Sequence, residues 1–213
     1  MINFIPIFPL SLVPYPGEQL NLHIFEPRYM QLVQECASAS KPFGIPVVIN
    51  DQVQDFGTLM EIVRVVKQYD DGKMDIISQG TTVFRVLEVI REVPNKLYYG
   101  SIVEYPANDR HKHPRMLNNL LVKIHALHQL LEVNKDFKKP VSELTSYDLA
   151  HHVGFSLEQE YEFLMLMRED QRLEYIKRHV NKVIPLMTGM KNTADRIKLN
   201  GHFKELKGFN FDF

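Results

Sequence analysis

The sequence predicts an α+β protein: an N-terminal β barrel or pseudo-barrel with one early helix, followed by a C-terminal helical bundle. Three observations lead there. Before about residue 106, apolar residues come in short runs punctuated by Pro and Gly, as in closely turned strands. After it they recur at helical spacing. The strand-like runs also sit too close together to hold repeated βαβ units, which excludes a doubly wound sheet. The texture divides the chain into a barrel over 1–105, a polar linker over 106–113, a helical bundle over 114–190 and an apolar C-terminal tail over 191–213.

Ile5 to Leu10 reads as a short edge strand, because its prolines cannot donate to a ladder. Pro14-Tyr15-Pro16-Gly17 is a turn. Gln19 to Ile24 alternates, with Leu20, Leu22 and Ile24 on one face. Glu26-Pro27 then opens a helix whose buried stripe is Tyr29, Leu32, Val33 and Cys36. Pro42 to Ile49 is a fully apolar strand. Gly57 to Lys67 alternates imperfectly, the signature of a bulge. Asp70-Asp71-Gly72 is a hairpin signal leading into Met74 to Ser78. Gly80 is expected to break that run before a strand from Val83 to Val89, which carries Arg85 on the same face as Val83 and Leu87. Arg85 there is a buried paired residue or a register-fixing one. Leu97 to Tyr105 is the last strand.

Beyond Pro114, Leu117, Leu120, Leu121, Ile124, Leu127, Leu130 and Leu131 form a helical stripe. A short helix at Ser146–Val153 is expected to end at Gly154. Ser156-Leu157-Glu158-Gln159 fits a capping box. A final helix carries Leu173, Ile176, Val180 and Val183, and Pro185 is expected to kink or end it. Thr188 to Leu199 fits a further helix, and Asn200-Gly201 is a turn signal. Phe203, Leu206, Phe209, Phe211 and Phe213 are too apolar for a solvated tail and call for a docking surface, on this chain or on a partner, self-association included.

The 213 residues suffice for a core without disulfide or metal support. Hydrophobic residues at 45% and charged ones at 24% match a folded globular protein rather than a disordered one. The net charge is −1, divided as −4 over residues 1–105 and +3 over 106–213, too even for a surface that coats nucleic acid or anionic lipid. A single cysteine, Cys36, forms no internal disulfide and fits a reducing compartment. No signal peptide and no apolar run of membrane-spanning length is visible, so a cytoplasmic protein is expected.

Nine histidines raise a metal hypothesis. The pairs His111/His113, His125/His128 and His151/His152 lack the carboxylates or thiols that complete a site, so solvated or half-buried histidines are the favoured reading. There is no Gly-x-Ser-x-Gly elbow, Walker motif or dinucleotide fingerprint. Cys36 lies on an inward helix face, as a small hydrophobe. Asp70-Asp71 is explained by its turn, and Glu26/Arg28 by a helix N-terminus. No catalytic residue, cofactor or metal ligand is predicted.

Phe8-Pro9-Leu10, Pro16-Gly17-Glu18 and Leu22-His23-Ile24-Phe25-Glu26-Pro27-Arg28-Tyr29 resemble the opening of the Lon protease N-terminal, substrate-binding domain. Phe43-Gly44, Gly57-Thr58, Asp71-Gly72-Lys73, Gly80 with Phe84-Arg85-Val86, and Leu164 through Gln171-Arg172-Leu173 agree in order. The resemblance covers about residues 1–187. It implies a PUA-like pseudo-barrel, a helical bundle, and a substrate-recognition role without the ATPase and protease domains. The implied partners are unfolded or client polypeptides and an ATP-dependent protease. The candidate binding surface is the sheet near Tyr15, Phe25, Arg28 and Tyr29, with Phe203, Phe209 and Phe211 of the tail. Aromatics beside Arg are common in protein recognition. Burial in the core is the competing reading, and the favoured one for Phe25. The alternative function is RNA binding, by analogy with other PUA-like barrels.

Overall fold

A computed structural model describes residues 2–109 and 111–206, with side chains described as far as residue 197. Six strands and five α-helices follow in the order β1 (Ile2–Pro6), β2 (Gln19–Ile24), α1 (Pro27–Ala39), β3 (Phe43–Ile49), β4 (Gln52–Gln68), β5 (Met74–Ile90), β6 (Gly100–Glu104), α2 (Pro114–Leu131), α3 (Ser146–Ala150), α4 (Leu157–Leu164) and α5 (Glu169–Leu206). The strands form one antiparallel sheet in the order β1-β6-β5-β4-β3, with β2 paired to β5 alone. Residues 7–10 close the sheet on itself through parallel bridges Ile7–Gly44 and Leu10–Val47. Phe8 N–H donates to Gly44 O at 2.8 Å and Val48 N–H to Leu10 O at 2.9 Å. The pseudo-barrel expected from the strand spacing is present.

Local sequence explains the helices. Pro27 occupies the first turn of α1, where its missing N–H is no loss. Tyr29, Leu32, Val33 and Cys36 recur at three- and four-residue steps and are all buried. Burying Leu32 and Val33 contributes about 1.5–3 kcal/mol each. Ser156 caps α4: its Oγ accepts from Gln159 N–H, and Gln159 Oε1 accepts from Ser156 N–H at 3.0 Å. Gly154 has φ +73°, a left-handed conformation that suits glycine.

Four expectations are corrected in whole or in part. Gly80 does not break a strand: β5 runs unbroken for 17 residues. A Cβ at Gly80 would lie 2.3 Å from Tyr15 O, so close backbone approach explains the glycine. Arg85 is exposed rather than buried, and its cross-strand ion pair with Glu104, 3.5 Å away in the β5–β6 register, fits the register-fixing alternative. Pro185 does not end the last helix, and Asn200-Gly201 is no turn, because α5 continues to Leu206. Pro185 and Asn181 are both exposed, so water can solvate the carbonyl that a proline leaves unpaired.

Barrel and helices meet around Tyr15, which is fully buried against Tyr147 and Phe163. Its hydroxyl donates to Glu160 O at 3.2 Å and its N–H to Glu18 Oε2 at 2.9 Å. His151, from the turn after α3, lies between two carboxylates: Nδ1 is 2.8 Å from Glu160 and Nε2 is 3.1 Å from Glu18. Burial works against its charge, but hydrogen bonds to Glu160 and Glu18 outweigh burial and lift its pKa to about 9. The helical half has its own polar centre. Arg172, fully buried, donates to Glu169, Ser146 Oγ, Asn108 Oδ1 and the carbonyls of Leu166 and Asp109. It thereby fastens the segment between β6 and α2 to α5, and every donor direction of the guanidinium is used.

Candidate functional site

The two long strands carry different neighbours along their length. The second half of β4, Glu61 to Gln68, pairs with β5 but not with β3, whose register ends at Met60. The first half of β5, Met74 to Gln79, lies between that segment and β2. This end of the sheet therefore lies beyond the β3 pairing, with α1 packed on its inner face and its outer face open.

An ordered aromatic cluster covers its outer face. His23 on β2 stands opposite Asp75 on β5, which puts the two side chains on one face. His23 Nδ1 donates to Asp75 Oδ1 at 2.6 Å, and Tyr69 OH donates to Asp75 Oδ2 at 2.8 Å. Phe25 stacks on His23 with ring centres 6.1 Å apart, and Tyr69 meets His23 edge-on at 6.0 Å. Lys67 Nζ sits 4.3 Å from the centre of the Tyr69 ring. Hydrogen bonds from His23 and then Tyr69 hold the Asp75 carboxyl below the usual carboxylate range. The Tyr69 phenol moves up, first because its hydrogen bond to that carboxylate requires the proton. A depression of about 380 Å³ adjoins the cluster, lined by Asn21, Leu22, His23, Arg64, Val66 and Ile77 among others.

The turn that brings Tyr69 and Asp75 together is short and local. Tyr69 N–H donates to Lys73 O and Gly72 N–H to Tyr69 O, at 2.9 and 3.0 Å. Gly72 adopts φ +86° to allow it. Asp71 accepts from Lys73 N–H at 3.2 Å, the structural role expected of the acidic pair.

The four barrel residues expected to share a surface are divided. Tyr15 is 0% exposed at the joint with the helices, so it offers nothing to a partner. Tyr29 is 7% exposed, its ring centre 3.9 Å from that of Phe8 in the core beneath α1. Arg28 covers the Tyr29 ring at 4.5 Å and pairs with Glu26 at 2.7 Å, near but outside the cluster. Phe25, whose burial was the favoured reading, is 58% exposed, because it follows the last inward residue of β2, Ile24. Phe203, Phe209 and Phe211 lie outside the residues whose side chains are described. Sequence reasoning missed His23, Lys67, Tyr69 and Asp75. The available signal was alternation: with Leu20, Leu22 and Ile24 inward, His23 had to face out.

The cluster presents flat apolar faces with polar tips, a surface chemistry suited to recognition. Among the described residues, no group of three or more His, Cys, Asp or Glu is arranged to hold a metal ion. Nor is any helix among them long and apolar enough to cross a membrane.

A barrel with an attached helical bundle defines the class of fold, and comparison with known proteins specifies it. Residues 5–182 match the model of the ATP-dependent protease La (LON) substrate-binding domain. The chain belongs to that family. A Lon protease of Flavobacterium johnsoniae is 29% identical over 99 residues, 42% of this chain and 12% of that protein. A LON peptidase N-terminal domain and RING finger protein of Schizosaccharomyces pombe is 25% identical over 105 residues, 40% of this chain and 21% of that protein. The chain thus matches no more than about a fifth of the length of either relative. The crystal structure of a Lon N-terminal domain protein from Xanthomonas campestris superposes with a TM-score of 0.62 at 25% identity, covering 83% of this chain and 98% of that one. The N-terminal domain of a Mycobacterium avium complex Lon protease shares the fold, with a TM-score of 0.62, 13% identity and coverage of 84% and 98%.

Proposed function

We propose that this chain is a non-catalytic polypeptide-binding module that recognises exposed apolar segments of unfolded or client polypeptides and works alongside an ATP-dependent protease. The observation that carries this reading is the exposed cluster of Phe25, His23 and Tyr69, fixed by Asp75. Rings already held in place lose little conformational freedom on binding, and their apolar faces supply contact area. Membership of the LON substrate-binding family supports the same reading. A cytoplasmic setting fits the buried Cys36 thiol, which burial pushes up to about 11 and so keeps unreactive.

The test is binding of a permanently unfolded, fluorescently labelled polypeptide to the whole chain, read by anisotropy. Binding is expected in the micromolar range and to survive moderate salt, since apolar contacts are not screened. The Phe25→Ala/Tyr69→Ala double variant is expected to weaken it about tenfold or more, the usual scale for two aromatic anchors. Undiminished binding by that variant, or none by the parent, overturns the proposal. Retention of single-stranded RNA instead, with affinity falling steeply as salt rises, assigns the surface to nucleic acid.

A further inference from the structure

We infer that the outer edge of β2 takes an extended, uncharged segment of an unfolded polypeptide as an added β-strand. This rests on the polypeptide-binding reading and names where and how the client backbone is held.

The sheet has four edges to account for. β1 and β3 end the main strand path, but the bridges through residues 7–10 join them. That leaves the second half of β4 and the outer side of β2. The two differ in every feature that governs strand addition. Along β4 the register with β5 shifts between Ile62 and Arg64 and again between Val65 and Lys67. The extra residues, Val63 and Val66, are 50% and 53% exposed. Bulges and charged side chains are the devices that blunt an edge, and this one also carries Glu61, Arg64 and Lys67.

β2 has none of them. Its six residues, Gln19 to Ile24, include no Asp, Glu, Lys, Arg or proline, and they pair with β5 without a single register shift. Among the described residues, no backbone hydrogen bond joins Gln19–Ile24 to anything except β5. A regular row of unpaired N–H and C=O groups about 20 Å long therefore faces outward. Such a row is complementary to one thing above all, another extended backbone. Strand alternation then sets the side-chain chemistry. One face of the incoming segment falls beside Leu20 and Leu22, which pack on the core under α1, and takes apolar residues. The other falls beside Asn21, His23 and Phe25, where an aromatic or β-branched residue meets the ring cluster.

The probe is a labelled octapeptide of alternating Thr and Val with one central Phe, titrated against the whole chain. Two further versions carry backbone N-methyl groups on alternate residues, one in each of the two registers. In a β-ladder only every second N–H faces the neighbouring strand, so one version is expected to bind at least about tenfold more weakly while the other stays within about threefold. On the protein, Asn21→Lys places a charge on the edge at an already exposed position and is expected to weaken binding about tenfold with its unfolding midpoint unchanged. If the peptide binds but both methylated versions bind alike, and Asn21→Lys has no effect, strand addition is overturned and polypeptide binding stands. If neither the octapeptide nor the unfolded polypeptide binds, both fall together.

Discussion

The two ends of the β4–β5 hairpin are built from the same pair of strands and have opposite characters. At the end near the helical bundle, Gly57 and Gly80 let other backbone approach so closely that a Cβ would lie 2.3 Å from the carbonyl oxygens of Ile45 and Tyr15 respectively. Thr58 is fully buried there, and its hydroxyl donates to Pro14 O at 2.5 Å. At the other end, bulges, an open edge and stacked rings meet solvent. A continuous ladder can thus be a closed joint at one end and a solvent-facing aromatic surface at the other. What differs is which neighbours each half acquires, not the strands' own pairing.

If that contrast is right, substitutions at the closed end cost stability and those at the open end cost binding. The largest effect is expected for Gly80→Ala. The new methyl group meets backbone that cannot rotate away, and overpacking of this kind costs on the order of 3 kcal/mol, read as a lower denaturant midpoint. Next is His151→Gln, which removes the cation between Glu18 and Glu160. About a third of the His151 side chain still meets solvent, so screening reduces the effect to about 1–2 kcal/mol. Its pH dependence follows from the raised pKa. The folded protein keeps this proton up to pH about 9, whereas an unfolded chain keeps it only to about 6.5. The stabilisation is therefore complete below about pH 6.5 and vanishes as pH rises through 9, and thermal unfolding of parent and variant should converge above that pH.

Thr58→Val follows, with a cost of about 1 kcal/mol by urea unfolding, because Pro14 O loses its donor inside the joint. The smallest stability effect is expected for Phe25→Ala, within about 0.5 kcal/mol, although polypeptide binding drops severalfold. A large stability loss at Phe25, or a binding loss without destabilisation at Gly80, would break the contrast between the two ends.

What the sequence disclosed and what it concealed divide along the same line. The stripe of α1 and the capping box at Ser156 depend on residues within a few positions of one another, so periodicity and spacing revealed them. The alternation of Gln19–Ile24 correctly put Leu20, Leu22 and Ile24 on one face. Gly80 was misread, and Arg85 left between two readings, because their reasons lie elsewhere in the chain, in the Tyr15 carbonyl and in Glu104. The candidate site was concealed for the same reason. His23 and Asp75 are 52 residues apart and acquire meaning only once the β2–β5 register sets them face to face. Tyr15, conversely, looked like a surface aromatic because its turn is rich in proline and glycine, yet that turn is what the helices close over.

The pairing of the first strand with the last has a consequence in time. Ile2 faces Glu104 and Pro6 faces Gly100, so β1 has no strand partner until about a hundred further residues have been made. At about 5–20 residues per second of translation, that is a wait of about 5–20 seconds. Through that interval Ile2 and Phe4 travel with the nascent chain unpaired, while the β4–β5 hairpin, whose partners are close in sequence, has time to form. Of the strands described, the earliest in the chain is among the last to be seated.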